Sequence, residues 1–521
     1  MMNVHLLHRN ADFDWPAALP WNADALVADL ALETLFRAMA QNDERIFGVA
    51  RQVVLAGVQG DAETIAYRQS VLQDCLKNIK VVHELYAIAT EALERAKKRY
   101  LGTLARYPHW VLSDAIEHME SFADSLRRLR AIADRHAGDF TSQGWTAFIS
   151  TLKRELDHEF FVRTDEHLRH LKFRGAVTFG THLVEGNKPG RYILRRTPHP
   201  AWSVWRMLWE RLRTFFFSPK LPPHSFAIHP RDEAGIRALD RLHDRGIAEV
   251  ANSLARAKDH VRNFFDMLAS ELAFYIGCAS LREQLARKGE PVCLPIVAGE
   301  QNQFAFRGLY DVCLSLSLDR RVIGNAADAD GKNLVVITGA NQGGKSTLLR
   351  SIGLAQMMMQ CGMFVPADAF RSSLCSGLFT HYKREEDVAM ESGKFDEELS
   401  RMSDIVDHIA PHSMILFNES FAATNEREGS EITRQIVTAL SDKSIRIAYV
   451  THLYELAHGL YETRRKSALF LRAQLDADGA RTFKLIEGEP LRTSFGEDLY
   501  NDIFDDSGNQ NATEAACERT G

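Results

Sequence analysis

The sequence predicts a C-terminal α/β domain of the P-loop type, preceded by an all-α core with long helices and a small β insertion. Three observations carry that prediction. Residues 333–347 read NLVVITGANQGGKST, a short apolar run followed at once by a glycine-rich octet. Apolar residues recur at helical spacing through most of residues 22–161 and again from Asp232 to Lys288. Between those tracts, residues 173–196 alternate around a G-N-K-P-G turn, the pattern of a β-hairpin.

Taken in order, residues 1–20 carry Pro16 and Pro20 and read as an irregular arm. Helical periodicity begins at Asn22 and continues through Leu26, Leu30, Leu35, Phe36 and Met39. Glu63–Lys97 extends it, and residues 101–161 are again mostly helical, with breaks expected near Pro108 and at Gly138 and Gly144. The stretch 201–223 places Trp202, Trp205 and Trp209 on one helical face, interleaved with Arg206, Arg211 and Arg213. Two readings stay open there: a packed amphipathic helix, or a surface contacting DNA or a membrane interface. Asp232–Lys288, if continuous, would extend roughly 80 Å, a lever or one arm of a helical hairpin. Strands are expected around Phe304–Arg307 and Val312–Leu318. After Asp505 the chain turns polar and acidic, as disordered tails do.

The octet Gly339–Ser346 fits G-x-x-x-x-G-K-[ST], and chemistry explains the spacing. Glycines let backbone N–H groups turn inward around phosphate oxygens, and the following helix presents its positive end to them. Gly339, Ala340, Asn341, Gln342, Gly343 and Gly344 would form the cradle, with Thr347 opening the helix. Lys345 would reach the β- and γ-phosphates of ATP, and the Ser346 hydroxyl would sit on Mg2+. Further on, the apolar run Met414–Phe417 ends at Asn418 and Glu419, where an Asp-Glu pair usually closes a Walker B strand. Asn418 can accept a bond from a magnesium water but brings no negative charge. Glu419 is the candidate to orient or deprotonate the attacking water, beside the metal. Ile447–Val450 reads as another buried strand, leading to His452, placed to sense the γ-phosphate. Ser420–Asn425 forms a loop suited to reaching a dimer partner.

Composition narrows the rest. At 521 residues the length prior is about three domains. Hydrophobic content of 45% and charged content of 25% are those of an ordinary globular protein. The net charge of −6 means any nucleic-acid partner must be met by a local basic surface. Seven cysteines without a C-x-x-C pair read as reduced thiols. Residues 1–10 lack the pattern of a signal peptide, and no run of apolar residues reads as a membrane span, so a cytoplasmic location is expected.

With these residues in view, the chain resembles the MutS family of DNA-repair ATPases. TGANQGGKSTLLRSIGLAQMMMQCGMFVPA (338–367) is similar to that family's P-loop and helix, and ILFNESFAATNEREG (415–429) to its Walker B and following loop. VTHLYEL (450–456), FKLIEGEPLRTSFGEDL (483–499), residues 322–325, and the helical segments 30–40 and 67–76 resemble further family stretches. The resemblance implies an ABC-type ATPase domain over 301–505 and a helical core with lever or clamp helices over 21–300. The β segment would lie at about 173–196 and the tail at 506–521. It also implies a homodimer with composite ATP sites, in which Ser392 is the candidate trans contact. There is no stretch before the core for mismatch-reading and connector domains, so a shortened form is expected. The function implied is a DNA-binding, Mg2+-dependent ATPase gating a dimeric clamp on mismatched or branched DNA, with a repair protein as a further partner. The second reading is a slow or non-hydrolysing ATP switch that contacts a protein or membrane surface through residues 202–217.

Overall fold

The computed structural model describes residues 2–15, 17–97, 107–172, 178–185, 188–195, 232–384, 393–464, 466–476 and 481–491. The aromatic segment Trp202–Phe217, Ser392 and the tail after Asp505 lie outside these residues. Helices α1 (Ala23–Asp29), α2 (Leu32–Ala40), α3 (Glu44–Ala56), α4 (Ala62–Lys77), α5 (Ile79–Lys97), α6 (Pro108–His136), α7 (Gln143–Glu155) and α8 (His158–Leu171) come first. A hairpin of β1 (Thr178–Val184) and β2 (Lys188–Arg195) precedes the long α9 (Glu233–Arg287). Then come β3 (Ile296–Ala298), β4 (Phe304–Leu309), α10 (Val312–Ser317), β5 (Asn325–Asp328), β6 (Leu334–Thr338), α11 (Lys345–Gln360), β7 (Ala369–Ser373) and β8 (Leu378–Tyr382). The chain closes with α12 (Lys394–His408), β9 (Met414–Asn418), α13 (Glu426–Asp442), β10 (Arg446–Val450), α14 (Tyr454–Arg464), β11 (Ala468–Leu475) and β12 (Arg481–Glu487).

The chain divides into two compact units. One comprises Met1–Val4, His83–Gly138 and Ala147–Ala269. Pro108 opens α6 at a position where its missing N–H costs nothing. The unit's core joins Leu112 and Ile116 to Leu168, Ile247 and Ala251, and Phe122 stacks on Phe265 at 5.5 Å. Buried Asp114 is paired with Lys258 at 3.0 Å, so its charge is compensated. The hairpin expected within 173–196 is present and antiparallel, pairing Thr178 with Arg195 and Val184 with Lys188.

The other unit comprises His5–Val82, Asp139–Thr146 and Ser270–Gly521. Its six-stranded sheet runs β12-β11-β6-β10-β9-β8, parallel except for the antiparallel edge β12. The central strands β6 and β10 are buried at every residue, which is why Leu334–Ile337 and Ile447–Val450 read as unbroken apolar runs. A second sheet runs β3-β7-β4-β5. The irregular arm is firmly seated: Leu6, Leu7 and Phe13 are buried, and the fully buried Glu271 carboxylate accepts the N–H groups of Leu6, Leu7 and Phe13.

Three local expectations change. Residues 312–317 form a helix and not a strand: the Asp311 carboxylate caps it by accepting the Leu314 N–H at 3.0 Å, a signal that outweighs the alternation of VCLSLS. Glu63–Lys97 is two helices parted at Asn78. Gly144 lies in the first turn of α7 and interrupts nothing; a Cβ there would stand 2.8 Å from the Tyr67 hydroxyl and from Val71. Within α9, Arg241–Arg287 is long and apolar enough to cross a membrane by length and composition alone. Its most apolar window is 78% buried inside the protein, as a core helix is.

Candidate nucleotide site

The site grows from the junction of β6 and α11. β6 ends at Thr338, and the chain turns through Gly339 (φ +117°) and Gly344 (φ +89°) before α11 begins at Lys345. Both values lie where L-side chains are strained. At Gly339 space forbids a side chain as well, since a Cβ would stand 2.7 Å from the Ala473 Cβ and 2.8 Å from its backbone nitrogen. Lys345 is 5% exposed, and its Nζ donates to Gly339 O at 2.8 Å and Ala340 O at 2.9 Å. Burial pulls this amine below its ordinary pKa, and the Glu419 carboxylate acts the other way.

β10 stands between β6 and β9, which brings the ends of all three strands together. The Ser346 hydroxyl donates to Asn418 Oδ1 at 2.8 Å, joining two residues predicted to flank the metal. Glu419 follows in the left-handed region (φ +55°), its N–H held by Val450 O at 3.0 Å. The next residues fix it: Ser420 and Phe421 are buried, and the Ser420 carbonyl accepts from the Tyr449 hydroxyl at 2.7 Å. Buried His381 stacks on Phe421 and meets the Ser420 hydroxyl at 2.8 Å. Burial, reinforced by Arg401, lowers the His381 pKa to about 4, which keeps this imidazole neutral. Only Ala422–Asn425 of the expected partner-facing loop reaches the surface. His452 Nδ1 lies 3.9 Å from Glu419 Oε2, too far for a hydrogen bond but close enough to share a ligand.

A cavity of about 310 Å³ opens over these groups. Its polar floor is Asn341, Gln342, Gly344, Lys345, Ser346 and Thr347, with Glu419 at one side. Leu314, Leu318, Val322, Ile323 and Phe483 make an apolar wall, with Arg320 and Arg321 beside it. Ala340 and Gly343 complete the loop without lining the cavity. Sequence reasoning missed the wall. Phe483, on β12, is brought in by tertiary pairing: Asn325 donates to its carbonyl at 3.3 Å and accepts the Leu485 N–H at 2.8 Å. The neighbouring Arg481 donates to the Gln342 amide oxygen at 2.6 Å.

These features define an α/β protein whose glycine loop, buried lysine, Ser346 and Glu419 face one cavity at the carboxyl ends of parallel strands, where such sheets take their ligands; Asn418 and His452 adjoin Ser346 and Glu419 without lining it. The chain belongs to the MutS family. The MutS2 N-terminal domain matches residues 60–288, and MutS domain V matches residues 335–500. Among its relatives, the DNA mismatch repair protein MutS of Syntrophobacter fumaroxidans is 26% identical over 326 residues, 60% of this chain and 33% of the relative. Endonuclease MutS2 of Lacticaseibacillus paracasei is 26% identical over 280 residues, covering 50% and 34%. MutS protein homolog 4 of Mus musculus is 30% identical over 152 residues, covering 29% and 16%. The match thus spans between 16% and 34% of the length of these relatives.

Proposed function

We propose that this chain is a DNA-binding ATPase of the MutS type, in which ATP binding and hydrolysis gate a dimeric clamp acting in mismatch repair or on branched DNA. The observation that carries the reading is the convergence of Lys345, Ser346 and Glu419 on one cavity, with Asn418 bonded to Ser346 outside its lining. An ABC-type arrangement fits the insertion of β10 between the P-loop strand and the strand ending at Asn418.

The residues present suit Mg2+, a cation that needs few protein oxygens and completes its shell with water and phosphate. Ser346 Oγ and Asn418 Oδ1 would hold it, with Glu419 adjoining. Among the described residues no group of three or more His, Cys, Asp or Glu side chains forms a competing metal cage. When bound, Mg2+ supplies charge neutralisation at the phosphates. The chain's own part is positioning. The N–H groups of Gly339–Ser346 cradle phosphate oxygens, and Lys345 turns from its two carbonyls to the β- and γ-phosphates. Glu419 orients the attacking water and accepts its proton, while His452 reads the γ-phosphate. Ser392 is proposed as the contact to the second subunit's nucleotide. A soluble, cytoplasmic homodimer belongs to the same reading.

The neutral Asn418 favours one alternative, a slow switch that holds ATP and changes partners without rapid turnover. ATP hydrolysis with and without branched duplex DNA separates the two, with Glu419→Gln as control. The clamp reading expects DNA-stimulated turnover that falls by roughly 10²–10⁴-fold in Glu419→Gln. It also expects DNA affinity that declines steeply with salt. Turnover indifferent to DNA, with no salt-dependent DNA binding, would reject it.

A further inference from the structure

The opposite end of the six-stranded sheet holds a second cavity, of about 290 Å³. It lies where the amino end of β10 meets the ends of β3 and β7, and is walled by Ala298, Gln301, Ser373, His412, Ser444 and Arg446. Arg446 is the first residue of β10 and is only 6% exposed. Its Nη1 donates to the Ser372 hydroxyl at 2.8 Å, and its guanidinium lies over the Phe304 ring at 5.4 Å. Its buried Nε has no acceptor. Among the described residues no carboxylate forms an ion pair with it. Burial alone weakens its hold on the proton, and the only group opposing that is the Cys375 thiol.

A guanidinium taken out of water without a counter-ion is costly, and proteins that keep one normally provide an anion. The cavity wall offers the accompanying donors. Ser444 and His412 stand at the exposed rim; the Ser373 hydroxyl beneath it already donates to Glu300 O at 2.6 Å and is not one of those donors. The one carboxylate on the wall, Glu300, is exposed and its Oε2 accepts from Gln303 Nε2 at 3.2 Å. We propose that this cavity is a binding site for a small phosphate-class oxyanion, held by Arg446 and distinct from the nucleotide site. A small free anion suits a charge this deeply buried better than the backbone of a nucleic acid, which would need an open basic surface. The site adjoins the P-loop helix. Ser372 Oγ donates to Gln356 Oε1 at 2.8 Å, and Gln356 Nε2 donates to Gln360 Oε1 at 2.7 Å, both on α11.

The test uses the full chain with its P-loop saturated by Mg2+ and a non-hydrolysable ATP analogue, so that the nucleotide site cannot answer for the second one. Inorganic phosphate is then titrated by calorimetry. One saturable site is expected in the parent, weakened by about tenfold or more in Arg446→Gln, because a charge-assisted bond is lost. Gln301→Glu, a change on the exposed rim that leaves the core untouched, should weaken phosphate several-fold while preserving analogue binding. No saturable phosphate binding in the parent, or equal binding in the parent and both variants, overturns the proposal. Failure of the parent to bind the analogue would overturn the reading of the nucleotide site, and phosphate binding that is then weakened in Arg446→Gln but kept in Lys345→Ala would still place the anion in the second cavity.

Discussion

Lys345 and Arg446 are both buried cations of the same sheet, one following β6 at its carboxyl end and the other opening β10 at its amino end. They are satisfied differently. The Lys345 amine rests on the Gly339 and Ala340 carbonyls, so its charge is solvated by dipoles that a phosphate can replace. The Arg446 guanidinium has one hydroxyl, one aromatic face and an orphaned Nε. The Lys345 loop supplies acceptors from its own backbone, whereas the Arg446 guanidinium, placed by tertiary packing, is left short of an acceptor for the proposed anion to fill.

Replacing each cation by methionine should have opposite effects at the two positions. In phosphate-free, nucleotide-free buffer, Arg446→Met should stabilise the fold by about 1–3 kcal/mol, because the uncompensated group is removed. Lys345→Met should destabilise it by about 1 kcal/mol, because two carbonyls lose their donor. Urea denaturation of the two variants beside the parent reads both signs, and the same sign for both would mean that the two cations are satisfied alike.

A smaller effect is expected at Asn418. Asn418→Asp restores a negative charge beside Ser346 and should raise apparent Mg2+ affinity in ATP turnover by about tenfold. Unchanged magnesium dependence would mean that this position does not face the metal.

Glu271 is a buried acid of the same unit. It accepts three N–H groups, yet burial raises its carboxyl pKa from 4.5 to about 8, those bonds opposing the shift. Between those values the folded state holds a proton that the unfolded state has released. This contribution is therefore complete below about pH 4.5 and is lost as pH rises through 8, at most about 1.4 kcal/mol per pH unit. Thermal melts from pH 6 to 9 should fall in the parent and flatten in Glu271→Gln; parallel curves would contradict the assignment.

What could be read from the sequence follows the same division. Gly339–Ser346 is contiguous, so its chemistry is written in one stretch, and the Ser346–Asn418 pair follows once two strands are recognised by their apolar runs. Long helices were legible from periodicity, as α9 shows. The α10 helix was not, because its alternation mimics a strand and only the Asp311 cap betrays it. The apolar wall around Phe483, the arm seated on Glu271 and the isolated Arg446 depend on which distant segments meet, and no local pattern records that.

The cavity at the carboxyl end of β6 is proposed to be a nucleotide site that works through Lys345. Equilibrium binding of a fluorescent ATP analogue in Mg2+, to the parent and to Lys345→Ala, tests it most directly. The parent should bind saturably and the variant should bind roughly 10²-fold more weakly, as expected when a preorganised charged donor is removed. Equal affinity in the two proteins, or no binding by the parent, would contradict it.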